Sequence, residues 1–129
     1  ANGLQHGRLR VQFYRQGGGR YLPLQSSAGF VMEIEYDGYK QYELSILPKV
    51  GFSTHSVRLE HSLGTVKSSS AIMSVVAALE AQNRGVDELL INNHKGYLCE
   101  AIAANVFVVK NVSQWITPPL SSGCVDGVM

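Results

Sequence analysis

The sequence predicts a mixed α/β (α+β) fold. Two N-terminal stretches alternate apolar and polar residues with the period of a half-buried strand. One central stretch repeats its apolar residues at helical spacing, and several short apolar runs follow it. The chain of 129 residues is long enough for one ordinary domain, and its 45% hydrophobic content can supply a core. Charged residues make up only 16%, which excludes a largely disordered chain.

The elements follow in order. From Arg8 to Tyr14, Leu9, Val11 and Phe13 alternate with Arg10 and Gln12, a strand. Gly17-Gly18-Gly19 turns the chain, and Arg20 to Leu24 is expected to form a short return strand. Residues 25–29 read as a linker. Phe30 to Tyr36 alternates again, and Asp37-Gly38 signals a hairpin whose second strand is Tyr39 to Leu47. Gly51 to Val66 has no period and reads as irregular. Ser68, Ser69 and Ser70 offer N-cap hydroxyls to a helix from about Ser69 to Arg84. Its apolar stripe is Ile72, Val75, Val76 and Leu79, and Gly85 closes it as a C′ residue. Glu88 to Asn92, Tyr97 to Ala101, Asn105 to Val109 and Trp115 to Thr117 are short strands, the last stopped by Pro118-Pro119.

Charge and composition narrow the partners. The net charge of +1 supplies no global attraction for nucleic acid or anionic membrane. No apolar run approaches the roughly 20 residues of a membrane span, and residues 1–7 lack the pattern of a signal peptide. Cys99 and Cys124 form neither a disulfide scaffold nor a metal-ligand spacing, so a cytoplasmic setting is expected. Residues 111–129 carry one charge, Asp126, and finish on Gly127-Val128-Met129. Such an apolar ending suggests a piece of something longer.

The local candidates for chemistry divide unevenly. His55 and His61 lack the spacing and third ligand of a zinc site. The serine triplet lacks a nucleophile elbow, and the glycine run lacks the Lys-Ser/Thr of a P-loop. The strand Arg8–Arg15 interleaves arginines with Phe13 and Tyr14, which suits either a solvated sheet face or a single-strand nucleic-acid surface. Lys67 precedes the helix, where the macrodipole favours the neutral, nucleophilic amine over the ammonium. Glu100 ends an apolar strand, where a carboxylate needs a partner.

The segments YLCEAIAANVFVV (97–109) and WITPPLSSGCVDGVM (115–129) resemble the signature of the class IV pyridoxal-phosphate aminotransferases. That family includes branched-chain and D-amino-acid aminotransferases and 4-amino-4-deoxychorismate lyases. Glu100, Ile102 and Asn105-Val106-Phe107 fit its first half; Thr117, Val125 and Gly127-Val128 fit its second. VKSSSAIMSVVAALEAQNRGVDELLI (66–91) is similar to the family's lysine, helix, glycine and strand. Trp115, Ile72 and Met129 depart from the commonest family residues: Ile72 stands where branched-chain aminotransferases have tyrosine, and Met129 is usual in the lyases.

The resemblance implies a fold-type IV enzyme fragment. Residues 1–24 would end a small N-terminal domain, 25–29 link, and 30–129 begin the large cofactor domain. It implies pyridoxal 5′-phosphate held by Lys67, with Glu100 facing the pyridine nitrogen and Val125 against the ring. Asn105 would support the strand beside Glu100. Gly127 would allow close approach, and the N–H groups of Val128 and Met129 would bind the phosphate at a helix N-terminus. The implied substrates are an amino acid and a 2-oxo acid, and the implied assembly is a homodimer without nucleic acid or membrane. The alternatives are a lyase acting on 4-amino-4-deoxychorismate and a non-enzymatic module using the basic strand.

Overall fold

The computed structural model describes residues 3, 7–36, 38, 44, 46–47 and 49–127. The chain divides into two compact units, Ala1–Ser45 and Ile46–Met129.

The first unit is a long hairpin. Strand β1 (Arg8–Gln16) pairs antiparallel with β2 (Ser27–Glu35) over nine residues, with Phe13 opposite Phe30. Their rings lie 6.2 Å apart, centroid to centroid, and tilted, an attractive arrangement for two aromatic quadrupoles. This pairing corrects two expectations. Arg20 to Leu24 is not a strand but part of the connecting loop, closed by the Leu24 N–H donating to the Gly18 carbonyl at 3.2 Å. Ser27 to Gly29 are not linker: they begin β2, and the division between the units falls at 45/46 instead. Asp37-Gly38 is a local hairpin signal, whereas β2 pairs with the earlier strand β1 across a ten-residue loop, residues 17–26. The strand expected over Tyr39 to Leu47 lies mostly outside the described residues.

The second unit is built on a three-stranded sheet in the order β3-β4-β5. Strand β3 (Val50–Phe52) runs parallel to β4 (Glu88–Asn92), and helix α1 (Ile72–Arg84) lies on the connection between them. Parallel strands need such a crossover. Strand β5 (Leu98–Ala101) returns antiparallel to β4 through the turn at Asn93. The buried Asn93 accepts from the N–H groups of Lys95 and Tyr97 at 3.0 and 2.9 Å, and donates to Glu60 and the Ser122 carbonyl. Strands β6 (Val108–Lys110) and β7 (Gln114–Ile116) form a separate hairpin with Asn111 and Val112 at positive φ. A single 3-10 turn, Leu120–Ser122, follows.

Helix α1 ends as its sequence requires. Gly85 adopts φ +62, the left-handed conformation that costs glycine least. The beginning differs from expectation: Ala71 is the N-cap, and no side chain caps the helix. The serine hydroxyls stop short because the first helical residue is Ile72. The buried face also differs. Ala77 and Ala81 are buried, with Glu80 between them, and α1 packs on β4; Ile72, Val75 and Leu79 are exposed. Small side chains let the helix approach Leu89 and Ile91, which are fully buried.

Glu80 tolerates burial because it is heavily bonded. It accepts from Ser53 Oγ at 2.6 Å, Thr54 N–H at 3.0 Å, Thr54 Oγ1 at 2.9 Å and Arg84 Nη1 at 2.7 Å. The His55 N–H adds a fifth donor at 3.3 Å. The Ser53 hydroxyl, foremost among these, holds the Glu80 carboxyl well below the usual carboxylate range, against the opposing effect of burial. The same clamp fixes residues 53–56 on the helix, joined by Ser56 Oγ donating to the Met73 carbonyl at 2.8 Å.

Candidate active site

The clamp sets the position of the next residues. The Arg58 N–H donates to the Asn92 carbonyl at 3.0 Å, and the Arg58 carbonyl accepts from His94 at 3.3 Å. With its backbone tied to the end of β4, Arg58 places its guanidinium between helix and sheet. Nη2 lies 3.4 Å from Ser74 Oγ on α1 and forms an ion pair with Glu100 Oε1 on β5. Glu100 is 4% exposed.

Glu100 reaches a third segment. Its Oε2 accepts the Val125 N–H at 3.0 Å. The next residue, Asp126, donates its N–H to the Thr65 carbonyl at 2.8 Å. Thr65 stands two residues before Lys67. These two hydrogen bonds, one to a side chain and one to the backbone, link the segment of Thr65, the strand carrying Glu100 and the segment at 125–126. Asn105 packs against the residue that follows: a Cβ at Gly127 would lie 2.7 Å from Asn105 Nδ2, so a larger residue there would displace the amide. Thr117 Oγ1 donates to the Val106 carbonyl at 2.8 Å and ties β7 to the segment behind Asn105.

Lys67 is exposed. It lies before the first turn of α1, which starts at Ile72. Val128 and Met129, the expected phosphate contacts, lie outside the described residues. His61 Nδ1 accepts the Leu63 N–H at 3.2 Å, and His55 belongs to the Glu80 clamp. Arg10 pairs with Glu33 at 3.4 Å, and Arg15 donates to the Gly19 carbonyl at 2.9 Å, so both arginines make contacts within their own hairpin.

Arg58 escaped the sequence reading. It lies in a stretch with no period and no motif, and its importance is visible only through its partners.

Glu100 Oε1 faces the Arg58 guanidinium and Oε2 accepts the Val125 N–H. A buried carboxylate suits an N–H donor such as a pyridinium. The donor set thus fits the cofactor implied by the resemblance. A cavity of about 590 Å³ elsewhere is lined by Glu60, Asn93, Lys95, Tyr97, Thr117 and Pro118 among others. It includes neither Lys67 nor Glu100, and the chemistry of the donors carries the assignment instead.

Lys67 precedes α1, and Glu100 lies on β5. The chain matches the family described as Amino-transferase class IV over residues 1–129 and belongs to it. A probable branched-chain-amino-acid aminotransferase of Synechocystis sp. is 38% identical over 61 residues, 47% of this chain and 20% of that protein. A protein of Schizosaccharomyces pombe, provisionally named an aminodeoxychorismate lyase, is 40% identical over 50 residues, 39% of this chain and 21% of that protein. The branched-chain aminotransferase of Thermoproteus uzoniensis has the same fold, with a TM-score of 0.81 and 25% identity over 99% of this chain and 43% of that one. The chain thus spans about a fifth of these curated relatives.

Proposed function

We propose that the protein carrying this chain transfers an amino group between an amino acid and a 2-oxo acid with pyridoxal 5′-phosphate. The observation that supports this most is the pair of hydrogen bonds from the Val125 N–H to Glu100 Oε2 and from the Asp126 N–H to the Thr65 carbonyl. They tie the 125–126 backbone to the Glu100 carboxylate and to Thr65, two residues before Lys67.

When bound, the cofactor supplies an electron sink for the substrate's Cα. Lys67 Nζ holds the cofactor between turnovers and, once released, moves the proton at Cα. Glu100 keeps a proton at the ring nitrogen. Val125 would pack on the ring, Asn105 would support the strand beside Glu100, and the N–H groups of Val128 and Met129 would bind the phosphate. The same reading makes the enzyme a cytoplasmic homodimer whose second subunit completes the site.

A lyase releasing an aromatic amine and pyruvate from 4-amino-4-deoxychorismate is the second reading. Met129 and the likeness to the Schizosaccharomyces pombe protein favour it. Borohydride reduction followed by peptide mapping tests the shared core of both. The pyridoxyl group is expected on Lys67, and a label on Lys49, Lys95 or Lys110 would sink the assignment. Product analysis with an amino donor and 2-oxoglutarate, against aminodeoxychorismate, then separates the two activities.

A further inference from the structure

We propose that Arg58 is a positioning residue that shares the Glu100 carboxylate with the cofactor's ring nitrogen and limits how tightly that nitrogen is held. The proposal rests on the reading of Glu100 as the ring-nitrogen partner.

Three observations support it. First, Arg58 is tied at both ends: its backbone is bonded to Asn92 and His94, and its guanidinium spans Ser74 and Glu100. These contacts fix its place. Second, the pair is poorly solvated, with side chains 22% and 6% exposed, so the charges are only weakly screened. Third, the guanidinium is not fully used: its Nε is buried without a hydrogen-bonded partner.

The consequence is competition for one carboxylate. Without cofactor, Arg58 neutralises a buried charge that would otherwise be costly. With cofactor, a protonated ring nitrogen approaches a carboxylate that already faces a cation. The guanidinium does not give up its proton, whereas the ring nitrogen can. Arg58 thus weakens the pull of Glu100 on that proton.

The test compares two probes on the full-length protein stripped of cofactor: pyridoxal 5′-phosphate, and its 1-deaza analogue, in which C–H replaces the ring nitrogen. The readout is the ratio of their dissociation constants, measured by absorbance without substrate. Arg58→Met should raise the preference for the natural cofactor by about tenfold, the lower end expected for removing a neighbouring charge. Arg58→Lys, which keeps the charge, should stay near wild type. In a Glu100→Gln background, Arg58→Met should leave the ratio unchanged.

Equal weakening of both probes by Arg58→Met would show a merely structural role and overturn the proposal. A wild-type protein that binds both probes alike overturns the Glu100 assignment itself, and the proposal with it. If Arg58→Met does not fold, Arg58→Gln, which keeps a polar side chain and removes the charge, is measured instead: a raised ratio supports the proposal, and an unchanged ratio overturns it.

Discussion

Glu80 and Glu100 are the buried glutamates among the described residues, 5% and 4% exposed, yet their surroundings differ. Glu80 on α1 is surrounded by donors from Ser53, Thr54, His55 and Arg84. Glu100 on β5 has one backbone donor, from Val125, and one ion-pair contact, from Arg58. Full satisfaction turns a carboxylate into a fastener that holds a loop on a helix. Glu100 has fewer partners, and on the proposed function it is the one that faces a ligand, a distinction burial alone does not make.

Substitutions can break that contrast. The largest effect is expected at Lys67, on the segment Glu100 helps to gather. Lys67→Ala should abolish turnover while circular dichroism and thermal melting stay near wild type. Glu100→Gln keeps the shape and removes the charge. Its turnover should fall at least about tenfold, a loss of about 1.4 kcal/mol or more of transition-state stabilisation. An unchanged rate with cofactor still bound would contradict the role given to Glu100.

Glu80→Gln should behave in the opposite way, lowering the melting temperature more than it alters cofactor affinity. The effect carries a pH signature. The folded carboxyl is held below its ordinary value of 4.5, so its contribution is fully present above that value. It is lost as pH falls below 4.5 toward the depressed folded value. Melting curves of wild type and Glu80→Gln should therefore converge in acid and separate at neutral pH. A gap independent of pH would show that the clamp does not depend on charge.

The smallest effect is expected in the β6–β7 hairpin. Val112 adopts φ +45 while 97% exposed, a conformation that disfavours a β-branched residue. Val112→Asn should stabilise by up to about 1 kcal/mol in denaturant titrations without changing either glutamate's behaviour.

The same two glutamates show what a sequence displays and what it conceals. Helix α1 was legible because Gly85 and the apolar spacing announce it. Its buried face was not, because the burying residues are alanines and a glutamate, and no hydropathy pattern marks a glutamate as buried. Strands β4 and β5 were legible as apolar runs. Strand β3, Val50-Gly51-Phe52, was too short to show a period. The β1–β2 pairing was obscured by a stronger local hairpin signal. Lys67, Glu100, Asn105, Val125 and Gly127 were identified from a family motif, whereas Arg58 has no local pattern and becomes meaningful only beside Ser74 and Glu100.

The turn before the glycine segment carries its own reporter. Cys99 and Cys124 are buried free thiols, and both donate to carbonyls in this turn: Cys99 Sγ to Ser122 at 2.8 Å, Cys124 Sγ to Pro119 at 3.5 Å. Burial pushes the Cys99 thiol up, away from the thiolate that reacts with alkylating reagents. Alkylation must therefore wait for the turn to open. The rate at which Cys99 is modified becomes a clock for how often the segment contacting Glu100 comes undone, and a ligand seated on that segment should slow it.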